Sequence, residues 1–312
     1  MRSTVVVALL VAVPVSASAQ RLVGPESRQL PLVLDSLRNT PGPVWSTGQS
    51  KHFILYVERP TSAVNIAVVP SGARGALPLS SRAQSRDLHS SDVARMLDSL
   101  ETAWTSALEL LGARYVDETR IPVFVTRSRS RFGRLVPPEA KGLTTSLTGG
   151  GDVMILVQND SVRAHTRHEV MHLVSRRAWG ASRRYGPWLI EGLATFADAR
   201  CQTSSIRAVG RDLLASRRSV VADDLLTNFV PMWRSDRAAA YVLAGTFVDY
   251  LWASRGRDGV HRLWQGIDTL SDAAMVPGLA GELTSGWRAH VARVAGSSAG
   301  LDTAAFRRLG CG

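Results

Sequence analysis

The sequence predicts an α+β fold, with a mixed sheet assembled in the first half of the chain and a mostly helical second half. Three patterns carry this expectation. Runs rich in β-branched and aromatic residues, "HFILYVE" at 52–58, "RIPVFVT" at 120–126 and "GLTTSLTGGGDVMILVQ" at 142–158, all lie ahead of residue 160. Between them, Val93, Met96, Leu97, Leu100, Trp104, Leu108 and Leu111 recur at three- and four-residue steps, the signature of an amphipathic helix over 92–111. Beyond Cys201 the pattern is mostly helical, with "AAAYVLAGTFVDYLWASRG" at 238–256 the longest segment.

The chain begins with one arginine, an apolar run from Val5 to Val15, and the small residues Ala17 and Ala19 at the spacing of a signal peptidase site. This predicts a signal peptide at 1–19 and an exported protein, periplasmic or secreted, with no stable membrane span after cleavage. Residues 20–50 are rich in Pro, Gly and Ser and read as a linker or N-terminal arm. Residues 59–90 read as a loop insertion or a loose hairpin around "VNIAVV". Residues 51–180 are expected to form an α/β lobe and 181–312 a helical lobe.

The 45% hydrophobic content over 312 residues suits a globular chain with a core. The formal charge is +11, nearly all of it arginine, since Lys51 and Lys141 are the only lysines. These cations are scattered rather than gathered with aromatics into a stripe, so no nucleic acid partner is expected. Cys201 and Cys311 are the only cysteines, and in an exported chain the pair is expected to form one disulfide.

The chemistry centres on "HEVMH", 168–172. Asp160 or Ser161 can cap a helix that Gly180 closes, which places the motif in a helix of about 161–178. Positions i and i+4 lie about 40° apart around a helix axis, so His168 and His172 project from one face and can meet one zinc ion. Glu169 then points beside the metal, where a carboxylate can take a proton from water. Ser175 and Ala178 stand where a third histidine pattern would need Gly and His, which excludes the metzincin arrangement. The other candidate for the third ligand is Glu191 in "PWLIEGLATFAD", on a helix opened by Gly186-Pro187, with eighteen residues between it and His172. Glu191 is expected in the first turn of that helix, facing back to the histidines.

HEVMH, eighteen residues, then Trp188-Leu189-Ile190-Glu191-Gly192 resembles the gluzincin metallopeptidases, most nearly the aminopeptidase N-like branch and its small peptidase MA-like relatives. The resemblance implies a zincin-like fold, Zn2+ held by His168, His172 and Glu191, Glu169 as general base, and a peptide or protein substrate. A transition-state tyrosine in that branch opens a helix of the form Y-x-x-G-x-x-x-x-x-Y-L. Tyr241 takes that place here, with Gly245 one position late and Tyr250-Leu251 in step. Trp188 matches the position that braces the second helix.

The branch's G-x-M-E-N stretch, whose glutamate anchors a substrate amine, is replaced by "GGGDVMILV". Asp152 is read as a turn residue rather than a substitute anchor, so an endopeptidase is expected over an aminopeptidase. Strand 152–157 is the candidate edge for an extended substrate. His165 is expected to be a partly exposed helix residue. Thr195 and Asp198 are candidates to accept the second proton of a metal-binding histidine. The alternative function is a non-catalytic envelope protein that keeps the fold for binding or scaffolding.

Overall fold

The computed structural model describes residues 45–59, 80–114, 119–127, 141–146, 151–159, 164–182, 186–199, 203–217, 220, 222–268, 270 and 279–293. The predicted signal peptide, the hairpin at 64–69, the caps Asp160 and Ser161, and both cysteines lie outside these residues. Among the described residues the fold is α+β, with five strands and eight helices.

The strands are β1 (Trp45–Gln49), β2 (Phe53–Glu58), β3 (Ile121–Thr126), β4 (Gly142–Ser146) and β5 (Asp152–Val157). They form one mixed sheet in the order β1-β2-β3-β5-β4. β2, β3 and β5 run parallel, while β1 and β4 pair antiparallel to their neighbours at the two edges. β5, "DVMILV", is buried along its whole length, as an unbroken apolar run requires of a strand flanked on both sides. It is therefore interior, and the sequence-based reading of β5 as the open edge is corrected: β4 stands outside it, with Thr144 opposite Met154.

Helix α1 (Ser80–Leu111) connects β2 to the parallel β3 and lays Leu97, Leu100, Trp104 and Leu111 on the core. It is longer than the apolar pattern predicts. The stretch before Asp92 is too rich in Ser and Arg to show a helical period. β1 is the other addition, within the segment read as an arm. "WSTGQ" has little strand pattern of its own, but its pairing with β2 and the edge-on packing of Trp45 against Phe124, 5.9 Å between rings, hold it in place.

Then follow α2 (Thr166–Trp179), α3 (Gly186–Ala199), α4 (Thr203–Ser216), α5 (Ala222–Thr227), α6 (Phe229–Ser235), α7 (Arg237–Trp264) and α8 (Leu279–Ala292). α2 starts later than expected. His165 stands at its N-cap without a side-chain bond, its carbonyl accepting from the Glu169 N–H at 3.0 Å. Gly180 ends it at φ 77°, a left-handed angle glycine adopts without steric cost, and its carbonyl accepts from the Trp264 indole at 2.9 Å. Asp236 caps α7 by accepting from the Ala239 N–H, and the non-helical Gly256 kinks that helix. No helix among the described residues is long and apolar enough to cross a membrane.

Three packings position the site. α2 lies on α1, α3 packs beside α2, and α7 lies along α3. α2 is also tied to the sheet: the Asp152 carboxylate, at the start of β5, accepts from Arg176 Nη2 and Arg177 Nε at 2.5 Å each and from Ser146 Oγ at 2.8 Å. Asp152 is thus a strand residue holding the metal-motif helix, which corrects its reading as a turn aspartate.

Candidate metal centre

The i, i+4 spacing on α2 brings the two histidine rings to 4.7 Å between centroids, nearly perpendicular at 85°. Their Nε2 atoms face each other at 3.1 Å. α3 delivers the third group: Glu191 Oε2 lies 3.2 Å from His168 Nε2 and 3.4 Å from His172 Nε2. Glu191 is the sixth residue of α3, so it sits in the second turn rather than the first, and the longer lead-in from Gly186 carries it level with the histidines.

These three atoms form a nearly equilateral triangle. Ligands about 2.05 Å from a zinc ion at tetrahedral angles stand about 3.3 Å apart. The side lengths fit one face of that tetrahedron, and two imidazoles with one carboxylate are a borderline donor set suited to zinc. His168, His172 and Glu191 can therefore hold a metal ion, and they are the one such group among the described residues.

The charges of the triad support one another. Burial opposes ionisation of Glu191, but the His172 charge and the hydrogen bonds from both histidines outweigh it and hold the carboxyl well below its ordinary range. Burial likewise opposes a proton on His168, and Glu191 overcomes it to push that histidine up.

Glu169, next to His168 on α2, meets the edge strand β4. It is 6% exposed, and Thr144 Oγ1 on β4 donates to its Oε2 at 2.8 Å. Gly142, two residues earlier, forms a close roof: a Cβ there would lie 2.6 Å from Oε1. Burial pushes the Glu169 carboxyl above its usual value, and the charge of Glu191 adds to this, against the pull of His172, His168 and Thr144. A single strand thus supplies both the donor and the wall that orient this carboxylate.

No family model, curated protein or solved structure matches this chain.

Tyr241 reaches the site from α7, its ring 5.6 Å from that of His168. Burial and then the Glu191 charge raise its hydroxyl well above the ordinary value, with Trp233 and Arg237 opposing, so it keeps its proton. Trp188 is buried against Phe247 at 5.5 Å, bracing α3 on α7. Thr195 is buried with no partner for its hydroxyl, and neither it nor Asp198 bonds His168 or His172. Asp198 is instead pushed up to about 6 by burial, against the charges of His168, Arg167 and Lys141.

His165 departs most from expectation. It is 7% exposed rather than partly exposed, its ring lies 6.3 Å from that of His168, and its Nε2 has no partner. Burial, with the Lys141 charge next, drives its pKa down to about 2 and keeps it neutral. Sequence reasoning missed Thr144 and Gly142, whose relation to Glu169 depends on the sheet order.

Proposed function

We propose that this chain is an exported zinc-dependent peptidase of the gluzincin kind, with a zincin-like fold, more an endopeptidase than an aminopeptidase. One observation carries the reading: a three-atom ligand face with edges of 3.1–3.4 Å beside a buried carboxylate held by the edge strand. The donors fit zinc, so His168, His172 and Glu191 would hold it. Zinc, when bound, supplies Lewis acidity that polarises a carbonyl and acidifies water.

The rest is work for the chain's own side chains. β4 ends the described sheet beside Glu169, and an extended peptide adding to that edge would bring its scissile carbonyl to the site. Glu169 takes the proton of the attacking water as the new C–O bond forms, and passes it to the amine nitrogen as the C–N bond breaks. Tyr241, kept protonated, donates a hydrogen bond to the developing oxyanion, a contribution of roughly 3 kcal/mol when well placed. Asp152 is occupied by two arginines and Ser146, so it is not offered to a substrate amine, which favours internal cleavage.

The test measures the metal content of the purified mature chain and its cleavage of a library of end-blocked peptides, with and without a chelator. Stoichiometric zinc and chelator-sensitive cleavage are expected, and Glu169→Gln keeps the zinc but loses hydrolysis. Full activity in that variant would sink the mechanism. Bound zinc with no chelator-sensitive cleavage would favour the non-catalytic scaffolding protein.

A further inference from the structure

Trp233 lies outside the metal triad and takes no part in the mechanism above. It stands on α6, a short helix that packs both on α7, which carries Tyr241, and on α3, which carries Glu191. Asp236 fixes the junction of α6 and α7: its N–H donates to the Met232 carbonyl at 2.8 Å, and its carboxylate accepts from the Ala239 N–H at 3.1 Å. The Arg237 guanidinium, at the start of α7, lies over the face of the Trp233 indole, 4.0 Å from the ring centroid. Tyr241 follows one turn later on the same side of that helix, since positions i and i+4 are neighbours.

A buried indole N–H usually finds an acceptor. Trp233 Nε1 is buried, yet it stands in full hydrogen-bond geometry with none among the described residues. It acts on the Tyr241 hydroxyl all the same: burial, then the Glu191 charge, raise that hydroxyl, and the Trp233 N–H and the Arg237 charge pull against them. Donor chemistry decides what this pair can do. An indole only donates, whereas a phenol both donates and accepts. Trp233 can therefore bond Tyr241 in one sense, N–H to phenol oxygen, which leaves the tyrosine proton for another acceptor. Arg237 favours the same sense, because a cation over the ring face draws electron density from the N–H edge.

We propose that Trp233 is a positioning residue for Tyr241: its indole N–H donates to the tyrosine oxygen and turns the tyrosine proton toward the reacting carbonyl, while Arg237 holds the ring in place. The role rests on the peptidase reading above. As charge develops on the substrate oxygen, Tyr241 gives up more of its proton, its own oxygen grows more negative, and the bond from Trp233 strengthens. A bond completed only in the transition state acts on kcat and leaves KM alone. Catalytic hydrogen bonds that are long in a free enzyme tighten in the same way.

The test is a double-mutant cycle of Trp233→Phe and Tyr241→Phe on the zinc-loaded full chain, joined to proton–nitrogen NMR of the chelator-treated chain. Phenylalanine at 233 keeps an aromatic face for Arg237 and removes only the N–H donor. Trp233→Phe is expected to lower kcat about tenfold at unchanged KM, the worth of one hydrogen bond to a charged group. In the Tyr241→Phe background it should cost nothing further. The indole N–H signal of Trp233, assigned in the wild type, should move upfield in Tyr241→Phe, where the ring stays and only the acceptor oxygen goes. Should Trp233→Phe not fold, as circular dichroism would show, this signal decides alone. An equal loss of kcat from Trp233→Phe with and without the Tyr241 hydroxyl, or an indole signal that ignores Tyr241→Phe, overturns the proposal. No cleavage by the zinc-loaded wild type would sink the peptidase reading and this role with it, whereas cleavage with an unmoved indole signal would sink the role alone.

Discussion

Thr144 and Glu169, twenty-five residues apart, are joined by a 2.8 Å hydrogen bond that ties the edge strand β4 to the carboxylate next to His168. The same hydroxyl lies 3.2 Å from the Glu169 carbonyl, so Thr144 holds both the backbone and the side chain of that residue. Removing the hydroxyl leaves a buried carboxylate short of a donor, and Glu169 is then free to turn from its working direction. Thr144→Val is expected to lower kcat by about a hundredfold, the cost of a catalytic group shifted by about 1 Å. Thr144→Ser should recover most of that loss. Peptide hydrolysis assays with parallel metal analysis check this, since zinc content should not change.

Gly142 offers an independent handle on the same carboxylate. A methyl group at that position would meet Glu169 Oε1, Cγ and Cδ at 2.6–2.8 Å, well inside van der Waals contact. The glutamate side chain can swing away more cheaply than two paired strands can part. Gly142→Ala is therefore expected to keep the fold within about 2 kcal/mol and to bind zinc as the wild type does. Hydrolysis should fall as far as in Glu169→Gln. A crystal structure of the variant with Glu169 unmoved would contradict this account.

Asp152 gives a prediction with a definite sign in pH. Burial opposes its ionisation, but Arg176, then Ser146 and Arg177, outweigh that and hold the carboxyl below its ordinary value. A group whose pKa is depressed in the folded state contributes stability above its unfolded value of about 3.9, and the contribution is lost as pH falls through the folded value. Asp152→Asn should cost about 3 kcal/mol at pH 7, the low end for breaking a buried pair, because Arg176 is partly open to solvent. The gap between variant and wild type should close as pH drops below about 4. Urea unfolding at pH 7 and pH 3 measures both halves of the claim.

The parts of the site that were legible in the sequence are those set by helical periodicity. His168 and His172 share a face through i, i+4 spacing alone, and Glu191 follows from the distance needed to finish one helix and enter the next. Thr144 and Gly142 were not legible, because their position over Glu169 depends on β4 lying outside β5, and strand order is set by pairings between distant segments. The burial of His165 and the capture of Asp152 by Arg176 and Arg177 were hidden for the same reason: each depends on which neighbour folds over it. The sheet strands themselves were visible from β-branched content, except β1, whose short polar stretch is stabilised by pairing rather than by pattern.

The packing of α7 on α3 shows what the glycines of the second helical pair contribute. A Cβ at Gly245 would lie 2.8 Å from Thr195 Cγ2 and 3.0 Å from Ile206 Cδ1, and one at Gly192 would lie 2.8 Å from the Ala244 carbonyl oxygen. The two helices thus meet glycine to backbone at the level of Glu191, and this close approach lets Tyr241, one turn before Gly245, reach His168. Gly245 faces α3 because the contact requires a small residue on that face. Gly245→Val should force the helices apart at a cost of about 1–3 kcal/mol and draw Tyr241 and Glu191 out of register together. Zinc affinity and kcat should then fall in the same variant, whereas Tyr241→Phe should lower kcat and leave zinc bound. A Gly245→Val protein that loses stability but keeps wild-type zinc affinity would separate the helix packing from the metal centre and refute the link.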